Sequence, residues 1–420
     1  MTAQSVLLLY ILFFAAEFLF ENTLTLLNLS HVRKNSGSIP PRFRDFIDRE
    51  NYERQTAYSL DRGRFALVSS ICSSALVLVV VLTGLLGIVE TWVLGLGLPR
   101  YIGGIAVIFI ISLIFRFFGI PFSLYSQFVL EEKYGFNKMT GKLFILDFLK
   151  SLVLSAVLAF ILLYSLFWFI DSAGSFWWLY AFLFIAAFQL ILSVLYPLII
   201  APLFNKFSPL EEGSLRSKLL ALAEKLSFRT KGIYVMDGSR RSKHSNAYFT
   251  GIGKTKRIVL FDTLITAMGE EQVVSVLAHE IGHEKKKHVI KRMIISLVLL
   301  FTGFFVIQLL LDAAPLFQAF GLAGPSSYGI FIILSFCASP FTFVLTPLFT
   351  AWSRKHEYEA DRFAVDAVGG YEDMKKALIS LSKENLSTLT PHPLYSFYHY
   401  SHPTLGERIE AMSSPKKRLS

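Results

Sequence analysis

Long runs of apolar residues alternate with polar segments along the chain, and the runs set the first expectation. Seven of them are long enough to cross a hydrocarbon layer about 30 Å thick as helices. They extend from Ser5 to Asn28, Phe65 to Val89, Tyr101 to Phe128, Phe148 to Ile170, Phe176 to Leu198, Met293 to Leu311 and Tyr328 to Trp352. The first run contains Glu17 and Glu21, follows uncharged side chains at residues 1–4 and precedes no small-residue cleavage site, so it is expected to stay as a membrane helix rather than be removed as a signal peptide. The polar remainder forms segments from Leu29 to Arg64, Leu130 to Asp147, Ala201 to Arg292 and Ser353 onward, with no internal repeat or low-complexity tract. Within the longest, Ile233 to Thr263 reads as short strands, with β-prone Ile258 to Phe261 and a turn marked by Gly251 and Gly253.

Composition agrees with lipid as part of the solvent. Apolar residues make up 53% of the 420 and charged residues 17%, with a mean hydropathy of +0.52, against roughly 45 to 50% and 25% in soluble domains. A soluble globular enzyme, a disordered chain, collagen and a coiled coil are thereby set aside. The two cysteines, Cys72 and Cys337, both lie in apolar runs, so neither a disulfide framework nor a cysteine-ligated zinc is available, and any metal must use histidine and carboxylate.

Lysine and arginine orient the spans, because short loops rich in them stay cytosolic. Eight lie between spans one and two: Arg33, Lys34, Arg42, Arg44, Arg49, Arg54, Arg62 and Arg64. Arg100 alone lies between spans two and three, and the loops at Asp171 and from Asp312 to Ser327 carry none. Lys133, Lys138, Lys142 and Lys150 follow span three, and most other basic residues fall in the long segment and the tail. The expected topology is seven spans with the N-terminus outside and the C-terminus cytosolic. A net charge of +10 then reflects a basic face lying on anionic lipid, with no nucleic-acid partner.

Chemistry concentrates in the long cytosolic segment, where Ala278 to Lys286 reads A-H-E-I-G-H-E-K-K. His279 and His283, at i and i+4, share one helix face and can reach a single zinc ion, with Glu280 beside them as the group that orients and deprotonates a water there. Gly269 as N-cap, Glu270 and Glu271 in the first turn, and an apolar face of Val273, Val274, Leu277 and Ile281 support the helix. A third ligand is needed, and after span seven Glu357 and Asp361 stand at i and i+4, so that one can bind metal while the other holds a ligand histidine.

H-E-x-x-H followed, after two spans, by E-x-x-x-D resembles the integral-membrane zinc metalloproteases typified by the type I CAAX prenyl endopeptidase. The resemblance extends to Glu131 through Asn137, Tyr196-Pro197 through Phe207, His244 through Phe249, and Ser401-His402-Pro403 with Arg408, covering nearly the whole chain. A related heat-shock membrane protease shares the zinc motifs but lacks so long a five-span N-terminal region. The resemblance implies a seven-helix membrane protein enclosing a hydrated chamber, capped on the cytosolic side by a zincin-like α+β domain, with one Zn2+ per chain. It also implies that Asn246 and His402 lie near substrate and stabilise the oxyanion, that Arg408 pairs with Glu357 or the substrate carboxylate, and that an edge strand at residues 246–249 pairs with the substrate backbone.

Glu357 and Glu359 compete for the third ligand position. They lie about 200° apart on a helix, and Glu357 is favoured because Asp361 shares its face and can hold a zinc histidine, which leaves Glu359 without a companion. His288, nine residues beyond His279 and about 180° around a continuous helix, is expected to stay off the metal, and His244, His356, His392 and His399 have no partner at ligand spacing. Arg116 within span three should face protein or water, either in an ion pair with a membrane glutamate or in contact with substrate.

These expectations divide the chain into a five-span membrane region (1–204), a cytosolic segment with substrate strands and zinc helix (205–292), spans six and seven (293–352) and a C-terminal catalytic part (353–420). The expected function is a membrane-embedded zinc endopeptidase that acts on peptides or proteins in or at the bilayer, prenylated ones by the resemblance. A broad quality-control protease, a seven-span transporter or receptor with an accidental H-E-x-x-H, and a scaffold with a purely structural zinc are the alternatives. No dilysine-type retrieval signal ends the chain, and a bacterial cytoplasmic membrane is expected in preference to the endoplasmic reticulum.

Overall fold

The computed structural model describes residues 1–251 and 256–413, so Gly253 of the expected turn lies outside the described residues. Among the described residues, seven helices are long and apolar enough to cross a membrane: Ala3–Lys34, Arg49–Leu82, Arg100–Lys133, Gly141–Ser172, Gly174–Phe204, His288–Leu310 and Ser327–Val368. Side-chain caps start four of them. Thr2, Asp48, Thr140 and Ser326 accept the backbone N–H of Ser5, Asn51, Leu143 and Gly329 at 3.2, 2.8, 3.2 and 3.2 Å, satisfying donors that a helix start leaves open.

Two helices depart from the hydropathy reading. The second begins at Arg49, well before its apolar run, because residues 49–64 continue the helix into the polar domain and bury Tyr52, Gln55, Thr56 and Tyr58 there. It ends at Leu82 rather than Val89. Gly84 adopts φ +71°, a left-handed turn that glycine takes without strain, and starts a separate short helix, Leu85–Leu94. The seventh helix continues beyond Trp352 to Val368, through one 3-10 turn at Phe343–Leu345, so the residues after the apolar run ride on the same rod.

At one end of the bundle Arg100 pairs with Asp171 at 3.0 Å, and buried Glu90 accepts hydrogen bonds from the Ala323 N–H at 2.9 Å and the Tyr328 hydroxyl at 2.7 Å. At the other end the basic segments gather. Tyr58, Leu130, Tyr134, Phe136 and Leu386 form one small core, and Phe43, Ile47, Tyr52 and Leu389 form another. Beside them lies a four-stranded sheet of β1 (Phe207–Pro209), β2 (Ile233–Met236), β3 (Ala247–Thr250) and β4 (Arg257–Phe261), in the order β1-β2-β4-β3. Strands β2 and β4 run parallel, and β3 pairs antiparallel with β4, from Ala247 opposite Leu260 to Thr250 opposite Arg257; among the described residues no strand pairs with its other edge. The sheet packs on helix Glu270–Lys285 through Ile258, Leu260, Val273, Leu277 and Ile281. Beneath this domain a cavity of about 1170 Å³ is lined by Thr25 and Asn28 of the first span and by Ser59, Arg62, Ser69, Ser70 and Ser73 of the second.

The membrane side chains singled out in the sequence find local partners. Arg116 donates to the Ser151 hydroxyl at 2.5 Å and lies 4.8 Å from the centre of the Phe148 ring; among the described residues it meets neither a glutamate nor the cavity. Glu17 accepts from the Ser339 hydroxyl, and Glu21 lies 3.3 Å from His399.

Candidate active site

Helix Glu270–Lys285 starts at Gly269, whose N–H donates to the Gln272 side chain at 3.3 Å. It crosses the extension of the seventh span at Gly282, where a Cβ would come within 3.2 Å of the Ala360 backbone. That close approach brings Glu357 to the two histidines. His279 Nε2 and His283 Nε2 lie 3.1 Å apart, and each lies 3.4 Å from a Glu357 oxygen.

The triangle is the right size for a small tetrahedral cation. Ligand atoms about 2.0 to 2.1 Å from such an ion stand roughly 3.3 Å from one another. Two further observations fit a metal: Glu357 is 1% exposed, and its Oε2 is buried with no hydrogen-bond donor, an arrangement that is costly unless a cation satisfies it.

Asp361, one turn beyond Glu357, accepts from His279 Nδ1 at 2.9 Å. Arg408 grips Asp361 with two hydrogen bonds, from Nη2 at 2.6 Å and Nε at 2.8 Å, and stands 3.9 Å from Glu357. The expected pairing of Arg408 with Glu357 is present as that 3.9 Å ion pair. The closer, two-point contact goes to Asp361, because a planar guanidinium matches a carboxylate in a fork. Burial opposes the charge on Arg408, but Asp361 outweighs it and holds the group above its ordinary pKa.

Glu280, on the same turn as His279, lines the cavity, and burial pushes its carboxyl above the usual carboxylate range. His402 lines the cavity too, with Nε2 3.4 Å from Glu357 and Nδ1 3.0 Å from the Ser401 hydroxyl. Asn246 immediately precedes β3. Its side-chain oxygen accepts the Ala247 N–H at 2.8 Å, which leaves the amide nitrogen as the donor it can offer.

Sequence reasoning missed what holds these groups. His244, without a partner at ligand spacing in the sequence, lies 3.2 Å from Glu131 and 3.1 Å from Asn385 and stacks on Phe136. Asn385 also accepts from the Ser245 N–H at 3.1 Å and donates to the Ser245 carbonyl at 3.3 Å, clamping the residue ahead of Asn246. His288 lies outside the His279–His283–Glu357 group, as expected, but not by facing away on one continuous helix. The helix breaks at Lys287, which adopts φ +59°, and His288 Nδ1 lies 3.0 Å from His283 Nδ1. Glu359, thought to lack a companion, lies 3.0 Å from His288 Nε2. The spacing H-E-x-x-H-x-x-x-x-H was visible, but no glycine, proline or asparagine among Lys285, Lys286 and Lys287 advertised the break.

A membrane bundle with a cavity under a sheet edge and a His-His-Glu cluster beside Glu280 defines a multi-pass membrane metallopeptidase. Residues 28–206 match the family described as CAAX prenyl protease N-terminal, five membrane helices, and residues 209–416 match Peptidase family M48. The chain is 36% identical to CAAX prenyl protease 1 of Saccharomyces cerevisiae, over 97% of this chain and 95% of that one. It is 34% identical to the human CAAX prenyl protease 1 homolog, over 92% and 91% of the two chains. The crystal structure of S. mikatae Ste24p superimposes with a TM-score of 0.92 at 34% identity, covering 97% of this chain and 99% of that one. The chain therefore belongs to the CAAX prenyl protease 1 family of M48 metallopeptidases, and the resemblance drawn from its motifs is borne out.

Proposed function

We propose that the chain is a zinc endopeptidase that releases the C-terminal tripeptide from isoprenylated Cys-aliphatic-aliphatic-X ends, working from the cytosolic face of its membrane with one zinc per chain. The observation that carries the proposal is the His279–His283–Glu357 triangle of tetrahedral dimensions, opening with Glu280 and the residues at the start of β3 onto one cavity. Zinc held by these three residues would supply a Lewis acid that polarises the scissile carbonyl and acidifies a neighbouring water. In this reading the open edge of β3 aligns the substrate backbone by strand addition. Glu280 takes the proton of the attacking water and returns it to the leaving amine nitrogen. His402 and Asn246 donate hydrogen bonds to the oxyanion. Asp361 fixes the His279 tautomer, and Arg408 fixes Asp361.

The division at residues 204, 292 and 352 belongs to the same proposal, with spans six and seven splitting a single catalytic unit. So does the orientation, supported by the gathering of the basic segments at the end that carries the sheet. Cysteine probes at Pro315 or Ser172 should label from outside intact cells, and probes at Ser239 or Ser387 only after permeabilisation; labelling at Ser239 in intact cells overturns the orientation. The relatives described above are eukaryotic and lend the bacterial preference no support, so the proposal covers orientation alone.

Mass spectrometry of the products from prenylated and unprenylated peptides of equal sequence tests the substrate. Tripeptide release from the prenylated peptide alone is expected. Equal cleavage of both replaces the prenyl-specific reading with a quality-control protease of broad specificity.

A further inference from the structure

Asp361 secures the outer nitrogen of one metal-site histidine, and the structure secures the other by a longer route. His288 has a fully buried side chain. Its Nδ1 lies 3.0 Å from His283 Nδ1, its Nε2 lies 3.0 Å from Glu359 Oε2, and its ring stacks on His356 at 3.9 Å and 12°. We propose that His288 and Glu359 are positioning residues that orient His283 for metal binding through a His283–His288–Glu359 relay. The inference rests on the metal reading of His279, His283 and Glu357.

Proton placement supports the relay. His283 turns Nε2 toward His279 and Glu357, so that nitrogen must be bare to bind a cation, and Nδ1 then carries the hydrogen. That hydrogen is donated to His288 Nδ1, which must itself be bare. His288 therefore carries its hydrogen on Nε2 and donates it to the Glu359 carboxylate. Every contact in the chain is a proper donor–acceptor pair with both rings neutral, and the acceptor-only Glu359 carboxylate fixes the direction of the whole chain.

The backbone builds the relay deliberately. In an unbroken helix His288 would face away from His279, but the left-handed residue Lys287 ends one helix and starts the next, bringing His288 against His283. Glu357, Glu359 and Asp361 come from one helix at i, i+2 and i+4, so a single rod carries the metal carboxylate and the carboxylates that anchor both histidines.

The test is zinc affinity of the full-length protein in detergent, measured by competition with chelators of graded strength. Glu359→Ala and His288→Leu should each weaken binding roughly 10- to 100-fold. The double variant should be no weaker than the worse single, because both cut one relay, and Glu359→Gln, which keeps an acceptor, should recover most of the affinity. Glu357→Ala serves as the control. If it abolishes binding while Glu359→Ala and His288→Leu bind zinc like the parent, or if the two losses add, the relay is overturned and the metal site stands. If Glu357→Ala retains full affinity, the metal reading itself fails. A purely structural role for His288 would lower the melting temperature of the metal-free protein without changing zinc affinity, which also overturns the relay. Should His288→Leu fail to fold, Glu359→Ala decides alone, since its side chain is 27% exposed and tolerates truncation.

Discussion

The fifth and seventh spans are both long apolar helices, yet they meet different solvents. None of the most apolar stretch of Gly174–Phe204 is buried inside the protein, whereas 33% of that of Ser327–Val368 is. The fifth span turns Leu183, Leu190, Ile191 and Ile199 outward, where lipid is as favourable a neighbour as protein. The seventh leaves the apolar layer and continues into the polar domain, where His356, Glu357 and Asp361 are almost wholly buried. One helix is held by its solvent and tolerates change. The other is held by particular side chains and does not.

Substitutions can break or sharpen that contrast. The largest effect belongs to the site. Glu280→Ala should lower peptide hydrolysis by about 100-fold or more while metal analysis still finds one zinc per chain; full activity in this variant would end the protease mechanism. Next comes the crossing with the seventh span. Gly282→Val should force the two helices apart, since even a lone Cβ there would come within 3.2 Å of the Ala360 backbone, lowering kcat on the order of 10- to 100-fold through displacement of Glu357, and unchanged kinetics would show that the crossing adjusts without cost. Smaller again is core truncation. Leu277→Ala, at 1% exposure in the catalytic core, should cost about 2 to 5 kcal/mol in denaturation measured in detergent micelles. The smallest effect is expected in the fifth span, where Leu183→Ala, at 53% exposure, should stay within about 0.5 kcal/mol. A loss at Leu183 as large as at Leu277 would mean that the fifth span is packed against protein after all.

The same contrast separates what could be read in advance from what could not. Hydropathy located all seven spans because hydrocarbon imposes length and composition on every crossing helix, whatever its neighbours. It misjudged the ends. Residues 49–64 and 353–368 are helical extensions stabilised by the polar domain, and their burial is invisible to a window that looks for lipid. The short strand β1 was likewise missed, since three residues carry too little pattern to register. In the site, His279, Glu280 and His283 were legible because helical spacing alone puts them together. Preference for Glu357 over Glu359 followed from the same geometry.

By itself, then, the sequence determined those features that one periodicity or one solvent enforces: seven crossings, an H-E-x-x-H helix, a basic face and the family its motifs resemble. The tertiary structure alone decided which groups meet across elements. Arg408 forks onto Asp361 while still reaching Glu357, Asn385 clamps the approach to β3, and His288 joins Glu359 behind His283. The physical reason is that each of these contacts depends on a backbone event with no composition signature, such as the left-handed turn at Lys287, or on pairing between residues far apart in the chain. Hydrogen bonds reach only about 3 Å, so a partner is fixed only once packing has placed both ends.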